Sequence, residues 1–262
     1  MEVLFGLHPV EEAIRSGARQ LDHVSVARER RDARLERLID LCRTAGIRVA
    51  IESRDQLTRL ARTDAHQGVF AVVRERKFLT IEDLLAPTPT PHHRFFLALD
   101  GVEDPHNLGA LLRTADGAGV DGVILPERRS APVTATVAKT SAGASEHVRI
   151  ARVTNLVRSL EQMKQNHVWV LGLDERGTPD YAEFDFNTDC VLVLGREGAG
   201  LHDLVKKTCD HLLRIPMAGQ VSSLNVSVAG AIVMYEAMRQ RRQAAAPPAA
   251  PKPAKPRKGL GS

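Results

Sequence analysis

Hydrophobic residues in the first 77 positions alternate between two spacings. Short apolar runs at Val3-Leu4-Phe5, Val24-Ser25-Val26, Val49-Ala50-Ile51 and Gly68 to Val73 read as strands, and the intervals between them carry helical spacing. One helix is opened by Pro9, a second runs from Asp32 to Ala45, and a third follows Ser53. The second shows the period best: Leu35, Leu38, Ile39, Cys42 and Ala45 fall on one stripe, with Asp32 near its start and Gly46 just past its end. Arg31, Arg34, Arg37 and Arg43 lie on its other side, as a solvated face or an RNA contact. The pattern predicts a small α/β sandwich.

From Phe95 the alternation becomes more regular. Strands are predicted near 95–99, 122–125, 148–152, 168–173, 190–194 and 212–215, with helices near 108–118, 133–140, 155–165, 201–209 and 223–242. Such alternation implies an α/β fold with a mostly parallel sheet covered by helices, and ligands bound outside the carboxyl ends of the strands. Between the two bodies, the three prolines of Ala86-Pro-Thr-Pro-Thr-Pro-His-His93 predict an extended connection. The boundaries are therefore set at a first domain over 1–77, a linker over 78–93 and a second domain over 94–243. The Ala/Pro/Lys tail, 244–262, lacks the apolar surface to form a core and is expected to be disordered.

At 262 residues, 43% hydrophobic and 26% charged, the chain has enough apolar surface for two modest cores. It contains no apolar run of the roughly 18 residues that a membrane helix needs, and its N-terminus lacks a signal-peptide pattern, so a cytoplasmic location is expected. Cys42, Cys190 and Cys209 are scattered, which argues against a disulfide framework and a zinc site, and no metal is expected. His92 and His93 read as linker residues. The net charge of +4 equals the charge of the tail alone, from Lys252, Lys255, Arg257 and Lys258. Residues 1–77 hold 15 Lys and Arg against 12 Asp and Glu, so the N-terminal body and the tail both lean toward an anionic partner.

Three predicted strand-to-helix loops concentrate the chemistry. The first, in Leu97 to Leu112, contains Asp-Gly-Val-Glu-Asp-Pro-His-Asn; Pro105 stiffens it and Asn107 is placed to cap the following helix. Leu108, Leu111, Leu112 and Ala115 form that helix's buried stripe and leave Arg113 off it, an exposed residue or a clamp for an anionic substrate. The second, Gly195-Arg-Glu-Gly-Ala-Gly200, has the spacing G-x-x-G-x-G and follows the fifth predicted strand of its domain, so it does not match the dinucleotide fingerprint. Its glycines suit either a tight turn or a close approach to a flat ligand, and Glu197 supplies its one carboxylate. In the third, Ile215 to Ala231, Ser222 or Ser223 caps the last helix and Asn225 falls in its first turn.

Taken in order, the three segments resemble the motifs of the SpoU/TrmH family of RNA ribose 2'-O-methyltransferases, in its branch acting on a 23S rRNA guanosine. Asp100-Gly-Val through Arg113-Thr-Ala-Asp116 matches the first motif, Gly195 to Gly200 the second, and Ile215-Pro-Met through Ser222-Ser-Leu-Asn-Val-Ser-Val the third; His66-Gln-Gly68 is similar to the end of the family's N-terminal domain. The resemblance implies an L30e-like RNA substrate-binding domain, a SPOUT-type knotted catalytic domain, S-adenosyl-L-methionine as cofactor, 23S rRNA as partner and a homodimer. It also implies that Gly195, Ile215 and Leu224 hold the cofactor, that Arg113 engages the nucleotide, and that Asn107, Glu197, Ser223 and Asn225 arrange the site. Arg196 departs from the family, standing where relatives often carry a small residue. Two other readings stay open from the residues themselves: the same reaction on tRNA or another rRNA nucleotide, and a non-catalytic RNA-binding ribosome-assembly factor.

Overall fold

The computed structural model describes residues 1–87 and 92–245. In its first part, strands β1 (Glu2–Phe5), β2 (Leu21–Ala27), β3 (Arg48–Glu52) and β4 (Val69–Val73) form a sheet in the order β1-β4-β2-β3. Strand β4 is antiparallel to β1 and β2, while β2 and β3 are parallel. Because successive strand residues face opposite sides, the alternation in Val69–Val73 feeds two cores. Leu7, Val10 and Ala13 of α1 (Leu7–Ser16) and Leu35, Leu38 and Cys42 of α2 (Ala33–Thr44) pack on one face, with Val69, Ala71 and Val73. Leu57 and Ala61 of α3 (Arg54–Ala61) pack on the other, with Phe5 and Phe70. Ala45, expected on the α2 stripe, is instead its exposed C-cap. Arg31, Arg37 and Arg43 are exposed and Arg34 is half-buried beside His8.

The second part is a six-stranded, wholly parallel sheet in the order β10-β8-β9-β5-β6-β7. Its strands are β5 (Phe95–Leu99), β6 (Gly122–Pro126), β7 (Ile150–Val153), β8 (Trp169–Leu173), β9 (Cys190–Leu194) and β10 (His211–Leu213). The two central strands, β5 and β9, are buried along their whole length, as continuous apolar runs in a parallel sheet require. Helices α5 (Pro105–Ala118) and α9 (Val226–Ala245) cover one face through Leu108, Leu111, Leu112, Val233 and Met234. On the other lie α7 (Leu156–Gln165) and α8 (Asp203–Thr208), contributing Leu160, Met163 and Val205. Gly230 brings α9 close to both α5 and β9: a Cβ there would lie 2.7 Å from Leu111 Cδ2 and from Leu194 Cδ1.

The stretch 78–93, expected to be a linker, is ordered in its first half. Thr80 and Asp83 form a reciprocal capping box at the start of α4 (Ile81–Leu85), and Leu84 buries itself against Gly122. Leu79 is hydrogen-bonded on both sides to β7, so this segment is part of the second body's wall. The centre of the Pro-rich stretch, residues 88–91, and the tail from 246 onward lie outside the described residues. Ala244 and Ala245, expected in the tail, belong to α9.

The two bodies meet through a buried ion cluster. Glu146, in a single helical turn after α6 (Ala135–Thr140), accepts from Arg19 Nη1 at 3.4 Å and from Arg76 Nη2 at 2.7 Å, and Arg19 also pairs with Glu2. Lys139 donates to the Ala65 carbonyl at 2.9 Å, and Gly143 passes so close to α1 that a Cβ would sit 2.7 Å from Glu12. Among the described residues no helix is long and apolar enough to cross a membrane.

Candidate active site

All three polar loops leave the carboxyl ends of strands on one side of the sheet, the neighbours β5 and β9 and, beyond β8, β10, and two joined clefts open there. The larger, of about 620 Å³, is lined by Leu194 to Leu201, Ile215, Met217 and Ser222 to Leu224, with Asp174 and Lys206 on its wall. The smaller, of about 270 Å³, is lined by Gly101 to Asp104, Asn107, Arg196, Glu197 and Val226. Arg196, Glu197 and Val226 border both, so the second loop forms the ridge between them.

Each glycine of that loop serves a different need. Gly198 and Gly200 have φ of 70° and 66° and open space around them, so they supply the left-handed turn. Gly195, buried at the end of β9, has no such φ. An added Cβ would stand 2.2 Å from the Gly200 carbonyl carbon, so the missing side chain there permits the loop to fold back on itself. The return is fastened by paired backbone hydrogen bonds between Arg196 and Gly200, at 3.0 and 2.9 Å.

The cap assignments differ from those expected. Asp104, not Asn107, caps α5, accepting from the His106 N–H at 2.9 Å. Asn107 therefore falls inside the first turn, buried, with its amide oxygen free to accept from Asn225 Nδ2 at 3.0 Å. Asn225, not Ser222 or Ser223, caps α9: its Oδ1 accepts from the Ser227 N–H at 2.9 Å. The same Asn225 amide nitrogen also donates to Glu197 Oε1. One asparagine thus holds α9, the first loop and the second loop together. Ser222 and Ser223 are left exposed on the wall of the larger cleft.

Asp100 and His202 add a contact that the sequence did not mark. The Asp100 carboxylate accepts from the His202 backbone N–H at 2.7 Å and sits 2.8 Å from His202 Nδ1, tying the end of β5 to the start of α8. On the cleft wall, burial pushes the Asp174 carboxyl up, but the Lys206 ammonium at 2.6 Å and the Arg176 N–H outweigh it, and the net shift is downward. Burial pushes the thiols of Cys190 and Cys209 up to about 12 and that of Cys42 up to about 11. At neutral pH all three are protonated and poor nucleophiles.

Of the expected site residues, Gly195, Glu197, Ile215, Ser223 and Leu224 line the larger cleft, and Asn107 and Asn225 meet Glu197 at its junction with the smaller one. Arg113 is not brought there. It stands exposed on α5, outside both linings and without a hydrogen bond or ion pair to any described residue.

A parallel α/β sheet with glycine- and asparagine-built loops at its switch point, β5 beside β9, belongs to a ligand-binding enzyme class, and comparison defines which. Residues 94–235 match the SpoU rRNA methylase family, and residues 3–79 match the RNA 2'-O ribose methyltransferase substrate-binding domain. The chain is 42% identical, over 92% of its length and 96% of the relative's, to the 23S rRNA (guanosine-2'-O-)-methyltransferase RlmB of Ralstonia nicotianae. It is 40% identical to that of Shewanella oneidensis, covering 92% of this chain and 98% of that one. Among solved structures, the SpoU methyltransferase AviRb of Streptomyces viridochromogenes, in complex with the cofactor AdoMet, superposes with a TM-score of 0.78 at 26% identity, over 92% of this chain and 90% of that one. The chain is a member of the SpoU rRNA methylase family.

The residues present fit S-adenosyl-L-methionine. The larger cleft has the volume of a nucleoside-sized ligand, and among the described residues no backbone partner serves the peptide N–H groups of Ile215 and Leu224, which remain available to an adenine edge. Met217 and Val221, 38% and 69% exposed, add apolar surface along the same loop.

Proposed function

We propose that this chain transfers the methyl group of S-adenosyl-L-methionine to the ribose 2'-hydroxyl of a guanosine in 23S rRNA, acting in the cytoplasm as a homodimer. The observation that carries the reading is the Asn225 bridge to both Asn107 and Glu197, at the junction of a cofactor-sized cleft and a smaller one. Relatives of the same domain plan, at 40–42% identity over nearly their full length, support the rRNA substrate.

Bound at the larger cleft, the cofactor supplies a sulfonium-activated methyl group. Gly195, Ile215 and Leu224 hold its adenosine part through backbone groups, and Ser223 contributes a hydroxyl on the same wall. Asn107, Glu197 and Asn225 fix the loops so that the ribose oxygen lies in line with the methyl; such positioning lowers the barrier by on the order of 7–11 kcal/mol. With the cofactor bound there, transfer would join the methyl carbon to the ribose oxygen as its bond to sulfur breaks, and the hydroxyl proton would pass to water or leave with the transfer itself. Arg113 does not accept it, because a guanidinium keeps its own proton. Its role is to align the nucleotide and neutralise phosphate.

The position of Arg113 supports the homodimer. On the same side of the molecule, Val228 and Tyr235 of α9 are each 48% exposed, and Gly117 of α5 lies against Tyr235. A second copy docked on this α5/α9 face would carry its own Arg113 toward the cleft that lacks one. The trefoil knot belongs to the same proposal, and the second and third loops lining one cleft are consistent with it.

The test is a ribose-methylation map of rRNA from cells with and without the protein. Loss of a single 2'-O-methylguanosine from 23S rRNA supports the reading. Loss of a methyl from tRNA alone assigns another substrate, and an unchanged map in both RNAs removes the enzymatic reading.

A further inference from the structure

The ridge between the clefts carries one cation that neither the fold nor the cofactor reading uses. Arg196 lines both clefts, yet its guanidinium makes no hydrogen bond or ion pair to any described residue. This is notable in its surroundings, because Glu103, Asp104 and Glu197 line the same small cleft. Two of those carboxylates are engaged elsewhere: Asp104 caps α5 and Glu197 accepts from Asn225.

The Arg196 side chain is also guided. Its stem lies across Gly101, where an added Cβ would stand 2.6 Å from Arg196 Cγ and 2.8 Å from Cδ. Gly101 has φ of 83° and follows Asp100, which is clamped to His202, while Arg196 itself is fixed at its backbone by Gly200. A floor of bare backbone under the stem and a clamp on each side aim a charged head over the boundary between the clefts. Without that head, an RNA phosphate entering the small cleft would meet three carboxylates and no cation from its lining.

We propose that Arg196 anchors the target strand by gripping a phosphate next to the methylated nucleotide, making it a substrate-positioning residue of this chain. The proposal rests on the rRNA methyltransferase reading above. An arginine suits the task because its planar fork binds two phosphate oxygens at once and stays charged at any working pH.

The test uses the full-length protein and the shortest 23S rRNA fragment that it methylates. Arg196→Ala should raise KM for that fragment about tenfold, with a smaller change in kcat, and Arg196→Lys should recover part of the loss. The slope of log KM against log salt should become shallower by about 0.7, the value of one contact to a single strand. Cofactor affinity by calorimetry should stay within twofold of the parent, taken as measurement scatter. Next, the phosphates flanking the target are replaced one at a time by uncharged methylphosphonates. At one position the parent should lose activity and Arg196→Ala should lose no more, the signature of a coupled pair. A parent-like KM and salt slope in Arg196→Ala overturns the proposal, as does weakened cofactor binding with RNA affinity intact, which would place the guanidinium on the cofactor instead. Failure of the parent to methylate any 23S fragment is a different result, and it refutes the functional reading beneath this one.

Discussion

Polar loop residues serve different ends in the two sheets. Around β2, β3 and β4, Asp32, Ser53 and Thr63 each accept from a backbone N–H two or three positions ahead, so each closes its own turn. Around β5, β9 and β10 local caps such as Asp104 are joined by long bonds: Asn225 reaches Asn107, 118 positions away, and Asp100 reaches His202, 102 positions away. A local cap stabilises one helix by about 1 kcal/mol and leaves other loops in place when removed. A long-range bond fixes two loops at once, so its loss moves groups that it never touches. The longest of these bonds therefore mark the loops built around a reaction, which the local caps alone do not.

The largest expected effect lies where a side chain would break the long-range part outright. Gly195→Val puts atoms where the Gly200 backbone runs, so the second loop cannot close. S-adenosyl-L-methionine affinity by calorimetry should fall by at least about 100-fold, on the order of 3 kcal/mol. Circular dichroism should still report folded protein, and near-parent affinity would mean that the cofactor does not use this turn.

Arg113→Ala comes next. Methyl transfer should drop by about 10²–10³, the usual cost of removing one preorganised charge, while cofactor binding is retained. Mixing it with a cofactor-binding-dead Gly195→Val protein sharpens the point. If Arg113 serves the other copy's cleft, each mixed dimer holds one intact site and recovers activity; no recovery would confine Arg113 to its own chain's site or remove it from the reaction.

A paired comparison of smaller size sets one local bond against one distant bond. Asp32→Ala should lower Tm by about 2–4 °C, with turnover kept, because it removes only the α2 cap and a part-exposed pair with the nearby Arg30. Asn107→Ala should do the opposite, holding Tm within that range while kcat falls by at least about tenfold. Equal effects of the two variants on Tm and on turnover would mean that local and long-range bonds do the same work in this fold.

The smallest effect is a pH dependence confined to the first body. His66 is buried, its Nδ1 accepts from the Gly68 N–H at 3.0 Å, and burial, aided by Arg54, holds its pKa below the usual 6.5. The unfolded chain therefore takes up this proton first as pH falls. The stability is complete above about pH 6.5 and is lost as pH drops toward the lower, folded-state value. His66→Asn keeps an acceptor for Gly68 without the titration, so its Tm should fall less than the parent's between pH 7.5 and 5.5. Parallel Tm profiles would exclude His66 as a source of acid sensitivity.

Strand and helix order was readable because buried runs and amphipathic stripes are local. The expected bounds of β5 and β9, and Asp32 at the head of α2, are where the structure has them. The helix Ile81–Leu85 was hidden beside three prolines, since five residues carry little periodicity and only the Thr80/Asp83 pair signals them. The three loops were visible as clusters of Gly, Ser and Asn, but the partners within them were not. Which of two nearby polar residues caps a helix depends on one backbone angle, so Asp104 took the role expected of Asn107, and Asn225 that expected of Ser222 or Ser223. The same exchange freed Asn107 for the site. Contacts such as Glu146 with Arg19 and Arg76 leave no local pattern at all, because they join residues from separate bodies.

The most direct test of the central claim, that these long-range loops serve a ribose hydroxyl, changes one atom of the substrate. A 23S rRNA fragment carrying a single 2'-deoxyguanosine at the target position is incubated with the protein and labelled S-adenosyl-L-methionine, digested, and assigned by mass spectrometry, with binding measured in parallel. The account predicts binding close to that of the all-ribose fragment and no methyl group transferred. A methyl found on the base, or continued modification of the deoxy substrate, would contradict it.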